Sequence, residues 1–367
     1  MRKNYFLLIK KIINIICIAF FSIFYSQNIS EARRKTIFDS LNSRVLTNAA
    51  TIFNNGKQML NYSKTDAEFS KSYHVMGDGK YKDGDYPTAI QLLEKADDYA
   101  QKANLQDYRI ATNALLVYTY RYAGLPNESD AKIEVIKNIV DINNYNDHAK
   151  LLQTKATAFE IDKNYCAAIP YRLKELELYK NQVVFVNPKQ KNDILIFANI
   201  HLAYINLKCK NLNEAYKAIG NAEKIYQQLG AESPTYYIEN YYLVKALIAL
   251  RENKIEESKV WFNKSYKSAN LTENKSVIKK VLNEMRESGI FNSLEEKTEI
   301  SDALYNLQNF QTDISKNVTT NLVNRKDLLL KNEKKNTLII GSGLAAICLG
   351  LIIFIFRNKR IQKKRYA

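Results

Sequence analysis

Apolar positions in this chain recur at steps of three and four rather than two, the spacing of helices that bury one face. Ile37, Leu41, Val45, Leu46, Ile52, Phe53 and Leu60 predict one or two helices between Ser30 and Thr65. From Ser70 to Ala96 the pattern sharpens: Tyr73, Met76-Gly77, Tyr81, Gly84-Asp85-Tyr86, Ala89, Leu93 and Ala96 read as two helices meeting at small residues across a tight turn. Four weaker versions follow, over residues 107–140, 149–180, 193–228 and 236–269. Their turns are at Gly124-Leu125-Pro126-Asn127 (a lengthened turn), Lys163-Asn164-Tyr165, Lys210-Asn211-Leu212-Asn213 and Asn253-Lys254-Ile255. A further helix is expected over 274–288. From Ser293 to Asn336 no Gly or Pro interrupts, and Leu304, Leu307, Phe310, Ile314, Val318 and Leu322 make one apolar stripe broken by Gln311 and Asn321. Such a stripe either packs on the preceding helices or pairs with a second chain as a coiled coil.

The hydropathy pattern changes at both ends. Residues 337–356 carry no charged side chain, and twenty helical residues rise about 30 Å, the thickness of a bilayer's hydrocarbon core. This predicts one transmembrane helix, followed by a basic tail at 357–367. Residues 1–26 combine basic positions with the run INIICIAFFSIFY and finish at Ser26, the form of a signal peptide or an uncleaved signal anchor. The +16 formal charge is concentrated beside these two stretches, with four basic residues in 1–27 and six in 357–367, leaving +6 for the rest. That distribution predicts topology, with the middle of the chain outside the cytoplasm, rather than a nucleic-acid footprint.

Eleven glycines, five prolines and the helical spacing together predict an all-α protein. The Tyr73-to-Ala96 pattern resembles a tetratricopeptide repeat (TPR). The resemblance extends over 70–270, and it implies an α-solenoid of right-handed sense built from helix pairs. The small residues Ala89, Ala131, Ala168, Ala215 and Ser258 are 42, 37, 47 and 43 apart, longer than the 34 of the standard repeat, which implies lengthened helices. Residues 30–69 then form N-terminal capping helices and 271–336 a closing helix with a long juxtamembrane helix. Gly77, Gly84, Ala89, Ala96, Ala156, Ala168, Ala203, Ala215, Ala222, Ala246 and Ser258 take the close-packing positions. The resemblance further implies that first helices line a concave groove, placing Tyr81, Lys82, Tyr204, Lys208, Leu247 and Arg251 on its wall. His74 and Asp78 stand where the best-known TPR groove carries its Lys and Asn carboxylate clamp, so that clamp is not expected.

Candidate chemistry changes little. His74, His148 and His201 are widely spaced and form no metal signature, and no phosphate loop, nucleophile elbow or kinase motif occurs. No enzyme, cofactor or metal is expected. Cys166 and Cys209 are equally compatible with free thiols and a disulfide. Ser342, Ala346 and Gly350 share one face of the 337–356 helix and would permit two copies to approach closely.

The expected function is therefore a membrane-tethered, extracytoplasmic scaffold for a protein or peptide, binding no nucleic acid directly. The arrangement resembles the sensory half of bacterial TPR-containing membrane regulators. The alternative is a receptor subunit that passes a ligand-dependent helix rearrangement to a separate cytoplasmic output protein, or a shortened relative of a one-chain transcriptional regulator.

Overall fold

Five short turns, each containing one residue in the left-handed region, organise the computed structural model, which describes residues 31–41, 48–185, 187–229 and 237–309. Gly84, Gly124, Lys163, Lys210 and Asn253 have φ between 59° and 77°. Each turn closes with a backbone bond spanning five residues: Asp85 N–H to Lys80, Leu125 to Tyr120, Asn164 to Phe159, Asn211 to Asn206 and Lys254 to Ala249, at 2.8–3.0 Å. This closure satisfies carbonyls left open at a helix C-terminus and reverses the chain in a few residues.

The helices are α1 (Glu31–Leu41), α2 (Ala49–Tyr62), α3 (Asp66–Lys82), α4 (Tyr86–Lys102), α5 (Gln106–Tyr122), α6 (Pro126–Ile139), α7 (Tyr145–Ile161), α8 (Tyr165–Asn181), α9 (Pro188–Lys208), α10 (Leu212–Leu229), α11 (Ile238–Arg251), α12 (Ile255–Thr272) and α13 (Lys275–Ser288). A last helix, α14, is described over 294–309. The five turns join α3 to α4, α5 to α6, α7 to α8, α9 to α10 and α11 to α12, and these five pairs stack in chain order.

Every pair crosses at the same register. Seven residues before each turn residue stand Gly77, Val117, Ala156, Ala203 and Ala246, and twelve residues beyond those stand Ala89, Ser129, Ala168, Ala215 and Ser258, all buried. A Cβ on Gly77 would lie 2.6 Å from the Leu93 side chain and 3.5 Å from the Ala89 carbonyl. Where the second position is serine, its hydroxyl fills the crossing with a hydrogen bond: Ser129 Oγ donates to the Val117 carbonyl at 3.0 Å and Ser258 Oγ to that of Ala246 at 2.9 Å. The small residue of the second pair is thus Ser129, not the exposed Ala131. Its turn is no longer than the others, because Pro126 serves as the first residue of α6.

The capping helices approach the first pair as closely. A Cβ on Gly79 would come within 2.6 Å of the Phe53 backbone nitrogen, and one on Gly56 within 2.7 Å of that of Met76. Phe38, Ile52, Met59 and Val75 bury their side chains around this contact. At the other end a single core runs from Ala149 to Ile300, and Leu304 and Leu307 of α14 pack on it. The described start of the apolar stripe therefore lies against the array. Cys166, at the start of α8, is disulfide-bonded to Cys209 at the end of α9, Cα–Cα 5.6 Å, which joins the third and fourth pairs.

The expectation of a transmembrane span is corrected. No described helix is long and apolar enough to cross a membrane. The physical reason is plain in α9, the longest at 21 residues, which carries Lys189, Lys191, Asp193 and Lys208 and buries Asn199. Its apolar residues serve the protein core. The chain divides into compact units at 1–311 and 312–367, and every described residue belongs to the first. Residues 1–26, 337–356 with Ser342, Ala346 and Gly350, and 357–367 lie outside the described residues. The architecture is an all-α array of helix pairs.

Candidate functional site

Because the pairs repeat one register, their first helices turn the same face inward. Positions 13, 10, 9, 6, 3 and 2 before the turn residue supply Ala111, Ala114, Leu115, Tyr118, Arg121 and Tyr122 from α5, and Lys150, Gln153, Thr154, Thr157, Glu160 and Ile161 from α7. The same face contributes His74, Asp78, Tyr81 and Lys82 from α3 and Phe197, His201, Tyr204 and Lys208 from α9. These side chains surround a cavity of about 940 Å³. That is at the upper end of the roughly 300–1,000 Å³ of ligand sites.

Helix α13 forms the remaining wall, with Lys279, Lys280, Asn283, Glu284 and Glu287 facing the cavity. Polar contacts tie it to pairs along the array. Lys275 Nζ lies 2.9 Å from Asp83 Oδ1, in the turn of the first. Lys163, in the turn of the third, is 3.8 Å from Glu287. In the fourth, Lys208 Nζ is 2.9 Å and 3.1 Å from the two oxygens of Glu284, which also accepts from the Tyr204 hydroxyl at 2.8 Å.

The floor is a buried charge cluster. Arg172 reaches from α8 with its side chain wholly enclosed; its Nε donates to Glu160 at 2.8 Å, Nη1 to Glu175 at 2.8 Å and Nη2 to the Thr157 hydroxyl at 2.7 Å. The other oxygen of Glu160 is 2.8 Å from His201 Nδ1. Burial would raise the Glu160 carboxyl, but Arg172 and His201 outweigh it and hold the group down at about 2. Glu175 meets the opposite balance: burial, only partly opposed by Arg172, pushes it up to about 7. Burial also raises the Tyr122 phenol to about 12, against the hydrogen bond with Ser276, and raises that of Tyr81 well above its ordinary value. The wall is thus aromatic and polar, with most of its charges already paired.

Of the groove residues anticipated, the structure brings Tyr81, Lys82, Tyr204 and Lys208 together around this cavity. Leu247 and Arg251 are not there. Leu247 is buried in the core that also contains Ile278, Val281 and Leu282, because α13 packs over that part of α11, and Arg251 is exposed. His74 Nδ1 is 3.0 Å from the Thr112 hydroxyl, and Asp78 is 3.5 Å from Lys82. Sequence reading missed Glu160, His201 and all of the α13 wall. The constant offset from each turn would have found the first two, and only the closure of the array brings in the third.

The stacked helix pairs and α13 thus surround one large cavity. No family model matches the chain, and no curated protein does. Among solved structures, the fold is similar to that of NprR in complex with its cognate peptide NprX, at TM-score 0.54 and 10% identity, covering 80% of this chain and 83% of that one. It is also similar to a Rap protein complexed with competence and sporulation factor, at TM-score 0.52 and 11% identity, covering 74% and 71%. Likeness to the sensory half of membrane-bound regulators is corrected accordingly. The fold similarity includes these two complexes, and the membrane tether and extracytoplasmic placement inferred with that likeness are withdrawn.

Proposed function

We propose that this protein is a peptide-binding regulator whose inner channel takes a short extended peptide. The reading is carried by the channel itself: about 940 Å³, bounded by first-helix faces in constant register and lined by aromatic rings and hydrogen-bonding side chains. A repeat array offers such a continuous concave wall, and backbone amides of an extended peptide need polar partners along their whole length. NprR and a Rap protein, similar in fold, were solved in complex with a cognate peptide and with competence and sporulation factor. Since α13 is held to the helix pairs by polar contacts, a ligand entering beside it would shift its position and alter the surface offered to a separate output protein.

The test is direct. A pool of random heptapeptides is incubated with the full chain, and the peptides that co-elute in gel filtration are identified by mass spectrometry. The native chain is expected to retain a subset, and Ala111→Trp, which fills the channel from α5, to retain at least tenfold less. Retention by neither protein, or equally by both, overturns the reading.

A further inference from the structure

We infer that the Cys166–Cys209 disulfide is a redox control on the channel: its reduction by a dithiol loosens the edge shared by α8 and α9 and, through that edge, the α13 wall. In its consequence for the ligand this rests on the peptide-binding reading above. Cys166 follows the left-handed Lys163 by three residues, near the start of α8, and Cys209 directly precedes the left-handed Lys210, at the end of α9. The bond therefore clips together the turn-side ends of the third and fourth pairs. Cys166 is exposed and Cys209 half-buried, so a small thiol can reach the bond without unfolding the chain.

Along the same edge the other neighbouring pairs meet, among the described residues, through noncovalent contacts. Tyr86 stacks on Tyr122 between the first and second pairs, Arg121 pairs with Asp162 between the second and third, and the Tyr216 hydroxyl donates to Glu252 between the fourth and fifth. Tyr86 stands two residues after its turn residue and Tyr122 two before its own; at those positions the third and fourth pairs have Tyr165 and Lys208. Their contact is a cation–π one, with Lys208 Nζ 5.7 Å from the centroid of the Tyr165 ring. Both residues line the channel, and each is the chain neighbour of one half of the disulfide. From them the contacts continue to α13. The Tyr165 hydroxyl is 3.5 Å from that of Tyr204, and Tyr204 and Lys208 both donate to Glu284. The disulfide thus fixes the spacing on which the Glu284 anchor of α13 depends.

The step is thiol–disulfide exchange. A thiolate of the dithiol attacks the Cys166 sulfur, the S–S bond breaks, and Cys209 leaves as a thiolate that takes up a proton. The second thiolate of the reductant then attacks its own sulfur in the mixed disulfide and releases Cys166, which is protonated in turn. Two electrons pass to the cystine, and the reductant leaves as its cyclic disulfide; a disulfide oxidant reverses the sequence. Once the bond is open, the cation–π contact and the long hydroxyl contact are what remain at this edge beside the channel, and both are weak next to a covalent link.

The experiment follows hydrogen exchange by mass spectrometry in the full chain, oxidised and after dithiothreitol without denaturant. Reduction is expected to accelerate exchange in α13 about fivefold more than in α4, whose pair the bond does not touch. The double variant Cys166→Ser, Cys209→Ser should match the reduced chain with or without dithiothreitol. Lys208→Met, with the disulfide intact, should reproduce the faster α13 exchange. The reduced chain should retain about threefold less of the heptapeptide pool than the oxidised chain. A bond that resists dithiothreitol in the folded chain overturns the control, as does loss of the far-ultraviolet helix signal on reduction. Equal acceleration of α13 and α4 overturns it too, since the bond then acts on the whole fold. Unchanged α13 exchange in Lys208→Met, or equal peptide retention by the two redox states, likewise counts against it. Retention in neither state overturns the peptide reading alone, and the exchange comparison then decides the control of α13.

Discussion

Lys275 Nζ on the closing helix lies 2.9 Å from Asp83 Oδ1 in the first turn of the array, 192 residues earlier in the chain. This ion pair brings the end of the stack back to its beginning. Without such a return, a stack of helix pairs would present an open concave face rather than a cavity with α13 as a further wall. Both side chains are partly exposed, so the pair is expected to contribute no more than about 1 kcal/mol to global stability. Its effect should appear locally. Lys275→Ala should leave the melting temperature nearly unchanged while amides of α13 exchange hydrogen faster than in the native chain. Unchanged α13 exchange would mean that the core contacts of Ile278, Val281 and Leu282 hold the helix unaided.

The crossing at Gly77 makes a second prediction. A Cβ there meets Leu93, itself fully buried, at 2.6 Å, so neither side chain has room to yield. Gly77→Leu should cost about 1–3 kcal/mol through overpacking. Gly79→Ala should be at least as damaging despite its smaller size, since the atoms it meets are the Phe53 backbone. Thermal melting of the two variants beside the native chain decides this, and native-like melting of both would contradict the described crossing.

These contacts indicate which features were legible in the linear sequence. Gly84 and Gly124 announce their turns because glycine alone takes positive φ without cost, and Ala89, Ala168 and Ala215 mark crossings because only a small residue fits there. Ser129 was harder to see: its hydroxyl bonds the Val117 carbonyl and so acts as a small buried residue, whereas the sequence offers Ala131 two places on as the obvious candidate. Lys82 and Lys208 could be placed on an inner face by helical spacing alone. Lys280 and Glu284 could not, because the channel's last wall depends on how far the stack curves before α13 begins, and curvature accumulates from every pair. The transmembrane reading of the uncharged run at 337–356 illustrates the converse: it comes from hydropathy alone, and the described helices are too polar to cross a bilayer.

Lys210 occupies the left-handed region with φ 64°, where an L side chain costs about 1–2 kcal/mol that glycine avoids. It is exposed, and its backbone makes the same turn as Gly84. Lys210→Gly should therefore stabilise the chain by up to about 1 kcal/mol, read as a higher urea midpoint with an unchanged slope. A lower midpoint would mean that the lysine side chain contributes more than its backbone strain costs.

The Cys166–Cys209 disulfide closes a loop of 43 residues between the third and fourth pairs. Cross-linking a loop of that length restricts the unfolded chain by an amount worth about 2–4 kcal/mol. Urea unfolding with and without dithiothreitol should differ by that amount for the native chain and not at all for the double variant Cys166→Ser, Cys209→Ser. A native chain indifferent to dithiothreitol would show that the bond contributes no stability.

The cluster around Arg172 should give stability an unusual dependence on pH, because its two carboxylates titrate in opposite directions. Glu160, held at about 2, has a folded-state value below its ordinary one. Its contribution is therefore complete above about pH 4.5 and is lost as the pH falls toward 2. Glu175, raised to about 7, favours the protonated form in the folded chain. Its contribution is complete below about pH 4.5 and is lost as the pH rises through 7. One of its oxygens is buried without a hydrogen-bond partner, which accords with a proton there. Glu175→Gln retains the neutral shape and removes the titration. Urea unfolding at pH 5 and pH 8 should thus show the native chain losing on the order of 1–3 kcal/mol relative to this variant across that interval. Arg172→Met should cost about 3–5 kcal/mol, since it leaves the carboxylates buried without their cation, and more at pH 8 than at pH 5. Parallel pH profiles for native and Glu175→Gln chains would mean that Glu175 stays ionised in the fold and that Arg172 neutralises both carboxylates at once.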